Sequence, residues 1–395
     1  ITPGIVTDNL VLKHNYNAGS VIPVSDGAAF FDGTDDYINC GSDSSIDIGT
    51  SALSVTFWVY LNVVETLTFV GKGPSLSTTT DGTSGWAISL YGSNANVYFD
   101  TNTGNNPAER DVVYTSTNSI TANRWYHIAV VIPASGDDGR KIYIDGVDKT
   151  SVSQHVNTDL GDASVDLWFG DVPTGGTREL NGYMCNVGMW KGRVLTQPQI
   201  KSIMNKNYAG LTSSEKTNLV SWWNLDAPIT EDYAGIGEGD APSAIDGLVL
   251  DNHDTTLTEV SLTNSDFTSG SGTTITDWNN SNGGLWERSG DTIISPNGVS
   301  LLRRNSALTN NVAHKIIVRA KNTIPGSTAR LQVYFGGNNH ARYDLTDDFQ
   351  EYVFHGLQTN DTTFILYNPS GGDSTNVTID WVKLYKYDGN VGLLI

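Results

Sequence analysis

The side chains of this chain best suited to chemistry are aromatic and polar groups interleaved in its last third. The run GGNNHARYD sets Asn338, Asn339, His340, Arg342 and Tyr343 in a polar, partly aromatic stretch, with Trp286, Tyr334 and Tyr367 on neighbouring runs. Aromatic rings stack on the C–H faces of pyranoses while amides, carboxylates and guanidinium groups take the hydroxyls. Trp286, His340, Arg342 and Tyr343 are therefore the candidate glycan contacts. For Trp286 and Tyr343 a place in the core is an equally open reading, and it is the expected one for Phe335, Phe364 and Trp381.

Hard oxygen ligands are concentrated in FFDGTDDYI, where Asp32, Asp35 and Asp36 suit Ca2+, although DGTDD is also an ordinary hairpin turn. Hydrolytic chemistry finds less support. Nine Glu are scattered along the chain, the closest two being Glu231 and Glu238, so no strand carries a pair of Glu on one face as a retaining glycosidase would need. Seven His form no H-x-H or H-x-x-x-H pair, and Cys40 and Cys185 stand alone, so zinc is not expected. His127, inside WYHIAVVI, reads as a packing residue. Neither a G-x-S-x-G elbow nor a phosphate loop occurs.

These side chains must be carried by strands. Of the 43 acidic residues 34 are Asp, a turn former, and 41 Gly accompany them, the composition of short strands joined by many turns. The net charge of −20 argues against nucleic acid or an anionic membrane as partner. No apolar run approaches the ~18 residues that cross a bilayer, so membrane insertion is not expected. At 395 residues the chain suits two domains, or three, at about 150 residues each.

Strands are expected at Asn9 to Tyr16, Ala28 to Gly33, Asp36 to Gly41, Ser54 to Leu61, Gly85 to Gly92, Asn96 to Asp100, Trp125 to Ile132, Lys141 to Gly146, Val165 to Gly170 and Gly182 to Trp190. Asp145-Gly146 marks a tight hairpin. The one helix predicted, Leu195 to Tyr208, has Thr196 as N-cap and Pro198 in its first turn, with Ile200, Ile203 and Met204 on one face. In LVSWWNLD, Trp222 and Trp223 point to opposite faces of a strand, so only one is expected to be buried. Between 227 and 258 the texture turns rich in Ala, Pro, Gly and acid and reads as a linker. Alternating strands then resume at His314 to Lys321, Ala329 to Gly337, Glu351 to Leu357, Thr362 to Asn368 and Asn376 to Tyr387, and the apolar tail Val391 to Ile395 suits a sheet edge or a partner. The expected fold is all-β, two tandem antiparallel jelly-roll β-sandwiches at 1–226 and 259–395.

Four segments, AAFFDGTDDYINCG, SVTFWVYL, NRWYHIAVVI with KIYIDGVDK, and ELNGYMCNVGMWKGRVLTQPQIKSIM, follow one another as in the laminin-G-like, concanavalin-A-like jelly rolls, which residues 8 to 226 resemble. In that fold Cys40 and Cys185 lie on neighbouring strands of one sheet; a bridge and a pair of free thiols both stay open. Residues 259 to 387, opening with SLTNSDFTSGSGTTITDW and closing with TIDWVKLY, resemble the jelly-roll carbohydrate-binding modules of cellulases and xylanases. That resemblance implies a structural Ca2+ between Asp266 and Asp380, although Thr268 stands where the family has Glu. Together the resemblances imply a non-catalytic, extracellular or virion-surface protein, such as a phage decoration or fibre protein. Its partners would be a glycan or cell-surface polysaccharide and other structural proteins of the assembly. A secreted bacterial adhesin and a glycoside hydrolase or lyase of concanavalin-A-like fold are the alternatives.

Overall fold

The computed structural model describes residues 22–73, 85–102, 112–134, 139–154, 160, 165–172, 178–226 and, with short gaps, 247–394. The expected strand Asn9 to Tyr16 and residues 227–246 of the expected linker lie outside the described residues. The regular structure of the rest is almost entirely antiparallel sheet, in two sandwiches.

One sheet of the first sandwich runs in the order Ala29–Asp32, Asn181–Lys191, Leu53–Leu61, Trp125–Ile132, Lys141–Ile144 and Val147–Asp148, with Leu219–Trp223 also paired to Asn181–Lys191. The other, here the far sheet, runs Thr150–Gln154, Val112–Thr115, Asn96–Asn102, Gly85–Tyr91, Leu67–Lys72, Trp168–Phe169 and Ile38–Asn39. Phe57, Val59, Phe69, Ile88, Phe99 and Met184 fill the space between them. Asp145 and Gly146 both adopt positive φ (49° and 71°), the twist a two-residue hairpin needs. Asp145 also fixes the strand it leaves, accepting from the His127 amide at 3.0 Å and from Arg124 at 2.6 Å.

The helix is Gln197–Ile203, shorter than expected, and Thr196 starts it, its amide donating to the Gln199 side chain at 2.9 Å. A second helical turn, Ser213–Lys216, was not foreseen; Thr212 and Glu215 cap each other there. This helical layer lies over the first sheet and explains a miss in the sequence reading. Trp223 is buried in the sandwich core, and Trp222 is buried too, because its outward face is roofed by Leu195, Ile200, Ile203 and Leu211. For the same reason Leu53–Leu61 is buried on both faces over most of its length instead of alternating.

In the second sandwich one sheet runs Glu287–Ser289, Thr292–Ser295, Val377–Tyr387, Val312–Asn322 and Gln350–Gln358, with Leu257–Val260 also paired to Val377–Tyr387. Facing it are Asn279–Gly283, Ser300–Arg304, Phe364–Asn368, Arg330–Phe335 and Asn338–Asp344. Alternation is clean here, as in Val312–Asn322, since only one face of each strand is covered. Phe335 and Phe364 are in the core as expected, whereas Trp381 is half-buried outside it with the Lys383 ammonium 4.7 Å from its ring centroid.

The two cores share no residue. We propose the division between the units at 227–258, yet two short strands cross it. Gly392–Leu394 and Gly247–Val249 pair with each other, and Gly392–Leu394 pairs with Ile38–Asn39, extending the far sheet of the first unit. Buried Asp251 and Asn390 lock that seam: the Trp222 and Asn390 amides donate to the Asp251 carboxylate at 2.9 and 3.1 Å, and Trp223 Nε1 donates to the Asn390 carbonyl at 2.6 Å. Cys40 and Cys185 are free, buried thiols, and they sit in different sheets rather than in one, Cys40 following Ile38–Asn39 and Cys185 within Asn181–Lys191. Burial pushes the Cys185 thiol up to about 12. Among the described residues no helix is long and apolar enough to cross a membrane.

Candidate functional site

In the second unit, period-2 alternation sorts the side chains of each strand to one face or the other. Along Arg330–Phe335, Leu331, Val333 and Phe335 enter the core, leaving Arg330, Gln332 and Tyr334 on the outer face. Along Phe364–Asn368, Phe364 and Leu366 enter the core and Ile365 and Tyr367 face outward. Register sets Gln332 opposite Tyr367 and Tyr334 opposite Ile365, so the two tyrosines meet diagonally, centroids 5.4 Å apart and planes at 71°. Burial and the neighbouring Tyr367 raise the Tyr334 phenol above its ordinary pKa, keeping it a neutral donor and acceptor.

Polar groups flank the pair. On Ser300–Arg304, Leu301 lies opposite Tyr367 and Arg303 opposite Ile365, and the Arg303 Nε is buried with no hydrogen-bond partner among the described residues. On the edge strand Asn338–Asp344, Asn339 is at the register position opposite Tyr334 and Arg342 opposite Gln332. Arg330 is held by Asp344 at 2.8 Å. The outer face is therefore a tyrosine pair bordered by the Gln332 amide and the Arg303 and Arg330 guanidinium groups.

The residues expected to bind glycan are only partly brought together. Arg342 is at the register position opposite Gln332, and His340 is at the position opposite core residue Val333, past a register shift. Trp286 is fully buried in the second core, its amide donating to the Asn280 side chain at 3.1 Å, so no ring face is open to a ligand. Tyr343 is half-buried against Tyr352 and Phe354, centroids 5.5 and 5.1 Å away, and its hydroxyl donates to the Val353 carbonyl at 2.9 Å. Both rings thus serve packing. The signal that points to Tyr334 instead is parity, since it shares the polar phase of its strand with Gln332 two residues before it; Tyr367 shares its phase with Ile365, and only the register brings it to the same face.

Of the candidate Ca2+ ligands, Asp32, Asp35 and Asp36 do converge, with carboxylate oxygens all within 4.8 Å of one another. Two of them are also engaged in the turn: Asp36 accepts from the Asp32 amide at 2.8 Å and Asp32 from the Thr34 amide at 2.7 Å. The first and last strands of the second sandwich do run side by side, Val260 opposite Leu384. Asp380, however, pairs with Arg319, and Asp266 accepts from the Thr268 hydroxyl at 3.0 Å.

A second polar and aromatic cluster lies on the far sheet of the first unit. Tyr37 stacks on Trp168, centroids 4.0 Å apart and planes at 9°, and Asp166 accepts from Asn39 at 3.0 Å. Burial, with Glu179 adding, raises the nearby Asp171 carboxyl to about 6 against the amides of Val172 and Arg178, and one of its oxygens is buried without a hydrogen-bond partner among the described residues.

The chain is similar to several solved structures. One is domain 4 of an extracellular arabinanase from Geobacillus stearothermophilus, in complex with arabinotriose, at 20% identity over 45% of this chain and 76% of that one, TM-score 0.32. Another is the native heptameric SAP-like pentraxin from Limulus polyphemus, at 14% identity over 47% and 84%, TM-score 0.32. A xylan-binding domain from Paenibacillus barcinonensis is similar at 13% identity over 31% and 92%, TM-score 0.26. Among curated proteins no sequence matches the chain. Residues 32–201 match the family model of the concanavalin A-like lectin/glucanases superfamily, laminin-G type, which covers the body of the first sandwich.

Proposed function

We propose that this protein binds a neutral glycan chain without turning it over, on the outer face of the second sandwich. The observation that carries this reading is the Tyr334–Tyr367 pair on the solvent face of that sheet, with Gln332 and Arg303 beside it. Two rings at an angle cradle the C–H face of a pyranose, and the bordering amides and guanidinium groups supply the directional hydrogen bonds that fix which sugar is held. The superfamily match of the first unit supports a carbohydrate context. With a net charge of −20, an uncharged chain suits the molecule better than a polyanionic one. We extend the proposal to display on an extracellular or virion surface among other structural proteins, and to Ca2+ at the Asp32, Asp35 and Asp36 turn.

Affinity electrophoresis through gels cast with xylan, arabinan, β-glucan or galactomannan tests the binding reading. The wild-type protein is retarded by at least one of these, and Tyr334→Ala with Tyr367→Ala weakens that interaction about tenfold with an unchanged melting temperature. No retardation in any gel would overturn it. One observation favours a hydrolytic reading, the Asp171 carboxyl held at about 6 beside the Tyr37–Trp168 stack. Release of new reducing ends from the retarding polysaccharide, abolished by Asp171→Asn, would establish that reading instead.

A further inference from the structure

The first sandwich carries an aromatic row apart from the site above, anchored at one end by Trp125, which packs against the core. Phe30 lies opposite Tyr183, Tyr183 opposite Tyr60, and Tyr60 opposite Trp125, so four successive strands each place one ring in a single line across the helix-side sheet. Neighbouring centroids are 5.0, 5.9 and 5.7 Å apart. The row lies on the outer face, where Phe30 is 49% and Tyr183 37% exposed. It begins where the helical layer stops: Trp58, two residues before Tyr60 on the same face, is fully buried and donates to the Met204 carbonyl at 3.1 Å.

A parallel line of polar side chains runs along the other flank. Two residues on from Phe30, Asp32 lies opposite Asn181, which is itself two residues before Tyr183. Asn62, two residues after Tyr60, donates to the Asn181 side chain at 2.9 Å and is exposed. Rings in one line and amides with a carboxylate in the next are the complement of a sugar chain, which presents C–H faces and hydroxyl edges side by side. A protein partner seated on these rings would match them with apolar side chains and leave this amide line to water. Ring spacings near 5–6 Å are close to the length of one pyranose in a chain, so the row accommodates three or four residues lying across the strands. The planes turn by 46°, 75° and 62° between neighbours, which excludes a flat crystalline surface and suits a single twisted chain.

We propose that this row is a second glycan-binding face, for a single soluble polysaccharide chain, independent of the tyrosine pair of the second unit. The two faces lie on different sandwiches, so one molecule engages two chains or two stretches of one, and the effective concentration of the second event strengthens the whole.

The test uses the full chain with Tyr334→Ala and Tyr367→Ala already in place, in gels containing xylan, arabinan, β-glucan or galactomannan. Retardation by at least one polymer is expected to persist in that background, and Phe30→Ala with Tyr183→Ala to weaken it about tenfold with the melting temperature held. Phe30→Tyr, which keeps a ring, is expected to restore it. Absence of retardation in the background variant, or retardation indifferent to Phe30→Ala and Tyr183→Ala, overturns the proposal, as does a fall in molecular mass on their replacement that marks the row as a contact between copies. Failure of the second-unit site alone would show differently: the single-face variants of the first unit would then remove all binding.

Discussion

At the scale of single residues, strand parity separates rings open to a ligand from rings that pack. Trp286 and Tyr334 are both aromatic in the second unit, yet one has no exposed face and the other lies on the solvent side. Trp286→Ala should cost about 3–5 kcal/mol of stability, the range for emptying a large core ring, whereas Tyr334→Ala and Tyr367→Ala should each cost about 1 kcal/mol or less; urea unfolding of the three variants measures the contrast. Asp171 offers a test by pH. Its carboxyl sits at about 6 in the fold against 3.8 ordinarily, so its contribution is fully present below pH 3.8 and is lost as pH rises through 6. Asp171→Asn should therefore raise the melting temperature at pH 7.5 and leave it unchanged at pH 3.5. His127, driven down to about 3 by burial, acts in the opposite sense: its neutral form stabilises above pH 6.5, and that stability drains away as pH falls through 3.

Single elements show why some of the structure was legible in the sequence and some was not. The hairpin at Asp145-Gly146 and the Thr196 cap depend on residues within four positions of one another, and both could be read directly. Burial of Trp222 depends on Leu195, Ile200 and Leu211 arriving from elsewhere in the chain, and no local pattern announces that roof. The short helix Ser213–Lys216 has too few residues to generate a period, but its cap is strong: Glu215 accepts from the Thr212 amide and from Lys206 Nζ, both at 2.7 Å. Although burial opposes ionisation, these donors hold the Glu215 carboxyl down to about 2, so its contribution is present above pH 4.5 and lost as pH falls through 2. Glu215→Gln is expected to lower stability by about 1 kcal/mol at pH 7, with the gap to wild type closing toward pH 2 in a melting series. The proposed glycan face was half legible for a related reason. The strands that carry Tyr334 and Tyr367 were expected and Ser300–Arg304 was not, and choosing Trp286 and Tyr343 over Tyr334 and Tyr367 required knowing which phase of each strand faced inward.

For the whole molecule, the seam between the units makes a division that is clear in the cores less clear in the sheets. Gly392–Leu394 pairs with Ile38–Asn39, so the end of the chain closes on the sandwich at its beginning. A protease that cuts within 227–246 should leave the two products associated on gel filtration. Asn390→Ala, which removes side-chain donors to Ser45 and Ser221 at 2.9 and 2.6 Å, should make them separate more readily in mild denaturant. Holding both units together also fixes the two proposed glycan faces on one body, which makes avidity for a multivalent surface the expected outcome. The most direct measurement of that account is a broad array of neutral glycans probed with the wild-type chain and with Tyr334→Ala plus Tyr367→Ala. The account predicts a defined set of bound glycans whose signals fall about tenfold in the variant at equal thermal stability; an array on which the wild-type chain binds nothing, or binds the same glycans equally with and without the tyrosine pair, would contradict it.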